Sequence, residues 1–123
     1  MQLILERGGK VKAVNMVSNA HKCAAMKTRT YEYFVIIEAS DSHLSPEGYL
    51  LNNEHVATYF EGTFGVKAPK WDAMSCENMA RKAAREICKM LTVQGVNCEQ
   101  VTVRITGSNG AHIIAKCRPS DLN

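Results

Sequence analysis

The chain has 123 residues and a formal net charge of +3, with 46% hydrophobic and 22% charged residues. This length predicts a single domain, residues 1 to 123, and the composition argues against the disordered, collagen-like and coiled-coil classes. The charge comes from 15 basic and 12 acidic residues without a long basic run, so we do not expect nucleic-acid binding.

The apolar runs and the cysteines bear on the cellular location. The longest apolar run, residues 33 to 37, is far shorter than the roughly 20 residues of a membrane-spanning helix, so we expect no membrane partner. The first residues lack the pattern of a secretory signal. Five cysteines, without a CxxC pair, are typical of reduced thiols in the cytosol. We therefore expect a cytoplasmic protein.

Two strands are predicted in the first third of the chain. Residues 3 to 5 and 11 to 17 are largely apolar and flank Gly8 and Gly9, which predicts a short hairpin or a broken strand. Residues 30 to 39 are rich in aromatic and β-branched residues and predict a second strand. The middle of this strand is apolar on both faces, so a second surface is expected to cover it.

A short helix is predicted next. Val56, Tyr59 and Phe60 have the i, i+3, i+4 spacing of an amphipathic helix, with Asn53 as a plausible cap and Gly62 as its end.

The clearest helix is predicted over residues 73 to 93. Asp72 or Ser75 caps its start, and Gly95 supplies the C-terminal stop. The predicted buried stripe consists of Met79, Ala80, Ala83, Ala84, Ile87 and Leu91.

The chain then predicts a closing hairpin, with strands over residues 101 to 106 and 111 to 116 around a glycine-rich turn. The whole order predicts an α+β fold: a four-stranded antiparallel sheet with two helices between its second and third strands. Such a sheet has two free edges and here a second apolar face, so we expect a homo-oligomer in which sheets join between subunits.

Short stretches along this order carry a family resemblance. They are Val17-Ser18-Asn19-Ala20-His21 with Lys22-Cys23, the segment from Gly48 to Asn53, Ser75-Cys76-Glu77-Asn78, and the strand from Val101 to Thr106. In this order they resemble the T-fold family of 6-pyruvoyltetrahydropterin synthase and 6-carboxytetrahydropterin synthase over most of the chain. The resemblance implies a ligand site between subunits.

The sequence departs from this family where the family holds its catalytic zinc. The family uses three histidines, two of them in a His-Gly-His at the start of the second strand. Residues 27 to 30 read Lys-Thr-Arg-Thr instead, and lysine and arginine cations repel a metal ion. Only His21 has family support as a ligand, so we expect no zinc and assign no metal ligands.

Two further elements of the family's chemistry are missing. The family has an Asp-His pair ahead of the second helix, whereas the corresponding segment here holds Asp72 without a histidine. The family's strand glutamate, which holds the amino-pyrimidine edge of the pterin, is replaced by Ile105. Isoleucine accepts no hydrogen bonds.

The remaining candidate residues are of two kinds. Cys23 resembles the catalytic cysteine, although a small buried hydrophobe explains it as well. Lys27 and Arg29 project to one face and suit an anionic ligand, or they form a solvated strand end. The resemblance completes the ligand site with Ser75, Cys76, Glu77 and Thr106. Glu77 also fits a purely structural role at the helix dipole.

These observations leave three hypotheses open. The first is a binding or assembly module for a pterin, purine or nucleotide-like small molecule, without zinc catalysis. The second is an active lyase that acts through Cys23 on a pterin or 7-deazaguanine precursor. The third is a structural oligomer or an adaptor for a partner protein. The remaining cysteines are interpreted as packing residues, and tyrosines such as Tyr31 and Tyr33 either stack a flat heterocycle or bury area.

Overall fold

The computed structural model describes residues 1 to 15, 27 to 40, 53 to 68, 75 to 107 and 110 to 122. The elements are β1 (Gln2–Asn15), β2 (Lys27–Ser40), α1 (Asn53–Phe64), α2 (Cys76–Val93), β3 (Cys98–Thr106), β4 (His112–Cys117) and a 3-10 helix (Pro119–Leu122). This order confirms the predicted α+β class with two helices between the second and third strands. Within the described ranges, no helix is both long and apolar enough to cross a membrane.

The four strands form one antiparallel sheet in the order β1-β2-β3-β4. Helix α1 packs against β1, whereas α2 packs against β3 and β4. Because side chains alternate along a strand, odd-numbered residues of β2 such as Val35 and Ile37 lie in the core. Even-numbered residues such as Phe34 and Ile36 lie on the opposite face, where they are half-buried. We call this opposite face the outer face.

The prediction of a break at Gly8 and Gly9 is wrong, because β1 continues through both glycines. Gly8 lies opposite Phe34, and Gly9 lies opposite Tyr33. The Tyr33 ring fills the space that a β-carbon of residue 9 would need on the core face. On the outer face, a β-carbon at residue 8 would lie 3.3 Å from Phe34 Cδ2. The two rings therefore replace the missing side-chain contacts of the glycines.

Helix α1 begins at Asn53 but passes through Gly62, so the predicted end at that glycine is wrong. Phe60 and Phe64 are both fully buried, and this packing outweighs the low helix propensity of one exposed glycine. Tyr59 donates a hydrogen bond from its hydroxyl to Oε1 of Glu86, 2.9 Å away, and so links α1 to α2.

Helix α2 has the predicted cap, stripe and stop. Ser75 is the N-cap, and all six stripe residues are buried together with Cys88. Gly95 follows the helix with a φ of +79°, a left-handed conformation that glycine adopts without strain. The helix begins at Cys76, and residues 73 and 74 of the predicted range lie outside the described residues.

Candidate functional site

Five of the seven predicted site residues have described side chains. Arg29 lies near the start of β2 and is exposed, whereas Ser75, Cys76 and Glu77 form the beginning of α2. Thr106 is the last residue of β3. Lys27 begins β2 without a described side chain, and Cys23 lies outside the described residues.

Ser75 caps the beginning of α2 with its side chain and its backbone carbonyl. Ser75 has an extended conformation (φ −84°, ψ 163°), and its Oγ accepts a hydrogen bond of 3.1 Å from the backbone N–H of Asn78. The Ser75 carbonyl accepts a second bond, of 2.9 Å, from the N–H of Met79. This cap orients the positive end of the helix dipole, and the exposed Glu77 carboxylate lies in the same first turn.

Arg29 lies close enough to Cys76 and Tyr31 to act on both electrostatically, and we call these three residues the cluster. Burial raises the pKa of the Tyr31 hydroxyl, with a further increase from Cys76, and Arg29 opposes this effect. Burial also raises the pKa of the Cys76 thiol, Glu77 adds to the increase, and Arg29 again opposes it. The cluster therefore joins the start of β2 to the first turn of α2, which are distant in the sequence.

The chemistry of this cluster suits binding better than nucleophilic attack. A thiol with a raised pKa stays protonated at neutral pH, and the protonated form is a poor nucleophile. Arg29 offers a planar set of N–H donors, and the carboxylate of Glu77, next to Cys76 in the chain, only accepts. Together they match a ligand that carries both acceptors and donors along its edge.

Thr106 does not join this cluster within one chain. It lies opposite Glu32 in the sheet, on the outer face, whereas Tyr31 faces the core. Its Oγ1 lies 2.9 Å from Nδ1 of His112 on the neighbouring strand. The thickness of the sheet therefore separates Thr106 from Cys76.

The outer face combines apolar and charged groups. The Arg104 guanidinium lies over the Phe34 ring, 5.1 Å from its centroid, which is the geometry of a cation–π contact. Beside them is a shallow depression of about 240 Å³, bordered also by Gly8. Ile4 and Ile114 remain 54% and 58% exposed, so apolar surface extends across this face.

Tyr31 and Tyr33 bury their area in the core. Tyr33 stacks on Phe60 with a centroid distance of 3.9 Å and an interplanar angle of 5°. Both tyrosines are at most 5% exposed, so neither presents a ring face to a ligand. Alternation alone could have added Tyr31 to the site, since it follows Arg29 at i+2 on the same face.

Three thiols meet inside the core, an arrangement that the sequence did not reveal. Cys88 of α2 lies between Cys98 of β3 and Cys117 of β4, with thiol hydrogen bonds to both. Burial, followed by the charges of the two neighbouring thiols, raises the pKa of Cys88. All three are at most 5% exposed, which agrees with their interpretation as packing residues.

No group of three or more histidine, cysteine, aspartate or glutamate side chains is arranged to hold a metal ion within the described part of the chain. Because His21 and Cys23 lie outside that part, the expected lack of zinc stays a prediction.

No protein-family model matches this chain, and a search of curated proteins finds no significant match. The resemblance to the T-fold family therefore stays a prediction.

Proposed function

We propose that this protein is a diverged T-fold protein, related to 6-pyruvoyltetrahydropterin and 6-carboxytetrahydropterin synthases, that binds a flat heterocycle without zinc catalysis. The observation that carries the proposal is the cluster of Arg29, Tyr31 and Cys76 at the first turn of α2. Two of its members, Arg29 and Cys76, belong to the ligand site predicted from the sequence. The ligand class is a pterin, a purine or a nucleotide-like molecule.

Arg29 of the cluster and the neighbouring Glu77 offer polar groups that match such a ligand. Pterins and purines carry carbonyl and ring-nitrogen acceptors next to amino and imino donors. The Arg29 guanidinium donates to the acceptors, and the Glu77 carboxylate accepts from the donors. Ile105, which stands where the family has its strand glutamate, is fully buried in the sheet. In this proposal the Glu77 carboxylate takes over the role of that glutamate.

The Cys76 thiol of the cluster is not suited to be the nucleophile of a lyase. Cys76 has a raised pKa and therefore lacks the thiolate character of an activated nucleophile. Lyase activity would depend on Cys23. A loss of turnover in Cys23→Ala would assign the protein to that alternative, whereas a protein without turnover in either form fits a binding module.

The proposal includes assembly into a homo-oligomer with the ligand site between subunits. The half-buried Phe34 and Ile36, with the exposed Ile114, form an apolar surface that a second copy would cover. Strands β1 and β4 are the two edges of the sheet, and joining edges between copies would satisfy their backbone groups. Assembly would also bring Thr106 of one subunit toward the cluster of another. A cytoplasmic location belongs to this proposal.

Native mass spectrometry of freshly purified protein tests the proposal in one measurement. The expected spectrum is that of a metal-free oligomer, in which any additional mass identifies the ligand class. An oligomer with one zinc ion per chain would overturn the binding-module proposal in favour of the lyase. A monomer would contradict the T-fold assembly itself.

A further inference from the structure

A second cleft opens between β1 and α1. Its volume is about 920 Å³, and residues of β1, β2, α1 and the turn after α1 line it. Small-molecule sites commonly have volumes of about 300–1,000 Å³, so the cleft has room for a ligand of nucleotide size. Arg29, Tyr31 and Cys76 are not among its lining residues, although Thr30, which lies between the first two in the chain, is.

The charge of this lysine cleft is positive. Lys10, Lys12 and Lys67 line it together with a single carboxylate, that of Glu61. Lys10 has only a loose ion pair, 3.8 Å from a Glu32 oxygen, and both side chains are largely exposed. In the part of the chain that the structure describes, Lys12 and Lys67 have no ion pair. Among the described residues, no carboxylate therefore competes with an anion for these two ammonium groups.

The rest of the lining suits an organic phosphate better than a simple inorganic ion. Thr30 and Thr58 add hydroxyl groups, which donate to phosphate oxygens. Ala57 and Val66 supply apolar wall, and the aliphatic stems of the lysines extend such surfaces. Val66 is 51% exposed, so a bound ligand would remove apolar area from water.

We propose that the lysine cleft binds a phosphorylated small molecule of nucleotide size. Lys12 and Lys67 hold the phosphate groups as point charges. The apolar wall contacts the uncharged part of the ligand. This inference goes beyond the proposed function, since it concerns a different site and stays valid if no pterin binds.

Isothermal titration calorimetry with three probes tests the proposal: ATP, inorganic triphosphate and adenosine. The expected order of affinity is ATP above triphosphate, with no detectable adenosine binding, and weaker binding at higher ionic strength. The variant Lys12→Ala/Lys67→Ala should bind ATP at least about tenfold more weakly, because hydrogen bonds to charged groups contribute about 1.5–3 kcal/mol each.

The matched control is Lys89→Ala/Lys116→Ala, which removes two exposed charges that do not line the cleft. It should bind ATP like the wild type. An equal loss in the cleft and control variants, or no ATP binding by the wild type, would overturn the proposal. Tighter binding of a single-stranded oligonucleotide than of ATP would also overturn it, since the lysines would then serve nucleic acid. Circular dichroism verifies that each variant folds.

Discussion

Adding one methyl group at Gly9 should destabilise the protein, whereas the same change at Gly8 should not. In Gly9→Ala the new β-carbon enters the space of the Tyr33 ring, which is buried and stacked on Phe60. The ring has no room to withdraw. In Gly8→Ala the new β-carbon lies 3.3 Å from Phe34 Cδ2 on the outer face, where a half-buried ring can shift.

The magnitudes follow from two opposing effects. Overpacking a core costs about 1–3 kcal/mol, and replacing glycine by alanine restricts the unfolded chain, which restores about 0.4–1 kcal/mol. Gly9→Ala should therefore lose about 1–2 kcal/mol, equivalent to about 4–8 °C in Tm for a domain of this size. Gly8→Ala should stay within about 0.5 kcal/mol of the wild type.

Urea unfolding followed by circular dichroism measures both variants. A double-mutant cycle then tests the cause, because in a Tyr33→Leu background the change Gly9→Ala should cost less than about 0.5 kcal/mol. If Gly9→Ala is as stable as the wild type, or if its cost persists without the Tyr33 ring, the proposed contact is wrong.

Three further predictions concern α2 and the thiols. Ser75→Ala should lose about 1 kcal/mol of unfolding free energy, because it removes the acceptor of the Asn78 N–H. Ser75→Asp keeps an acceptor and should lose little. Equal losses of the two variants in denaturant unfolding would contradict a capping role. Under native conditions an alkylating reagent should label the half-buried Cys76 before the buried Cys88, as read by peptide mass spectrometry, and the reverse order would contradict their burial. The raised pKa of Cys88 in the folded state means that the native protein holds its proton when the unfolded chain has lost it, so stability should fall as pH rises from 9.0 toward about 12. Cys88→Ala should lessen that dependence in urea unfolding measured across this range, and an unchanged slope would contradict it.

The elements that the sequence predicts best are those whose signals are local. For α2 the cap, the apolar stripe and the final glycine all lie within or beside the helix and agree with one another. The strand over residues 30 to 39 is likewise evident from its own aromatic and β-branched residues. The two errors arise from tertiary packing. Tyr33 and Phe34 support the glycines of β1 from a neighbouring strand, and the burial of Phe60 and Phe64 carries α1 through Gly62.

The candidate site likewise has one part that local sequence predicts and another part that depends on the folded structure. The grouping of Ser75, Cys76 and Glu77 follows from their adjacency in the chain. The approach of Arg29 to Cys76 brings together the start of β2 and the first turn of α2, which are distant in the sequence, so no local pattern contains it. The face on which Thr106 lies follows from its pairing with Glu32, and that register becomes known only in the folded sheet.

A fluorescence titration with a pterin tests the central proposal most directly. We expect saturable binding by the wild type and at least about tenfold weaker binding by Lys27→Ala/Arg29→Ala, since charged hydrogen-bond donors are lost. The control Lys89→Ala/Lys116→Ala, which removes the same charge elsewhere, should bind like the wild type. Equal affinities for the site variant and the wild type, or no saturable binding of either a pterin or guanine, would contradict the proposed function.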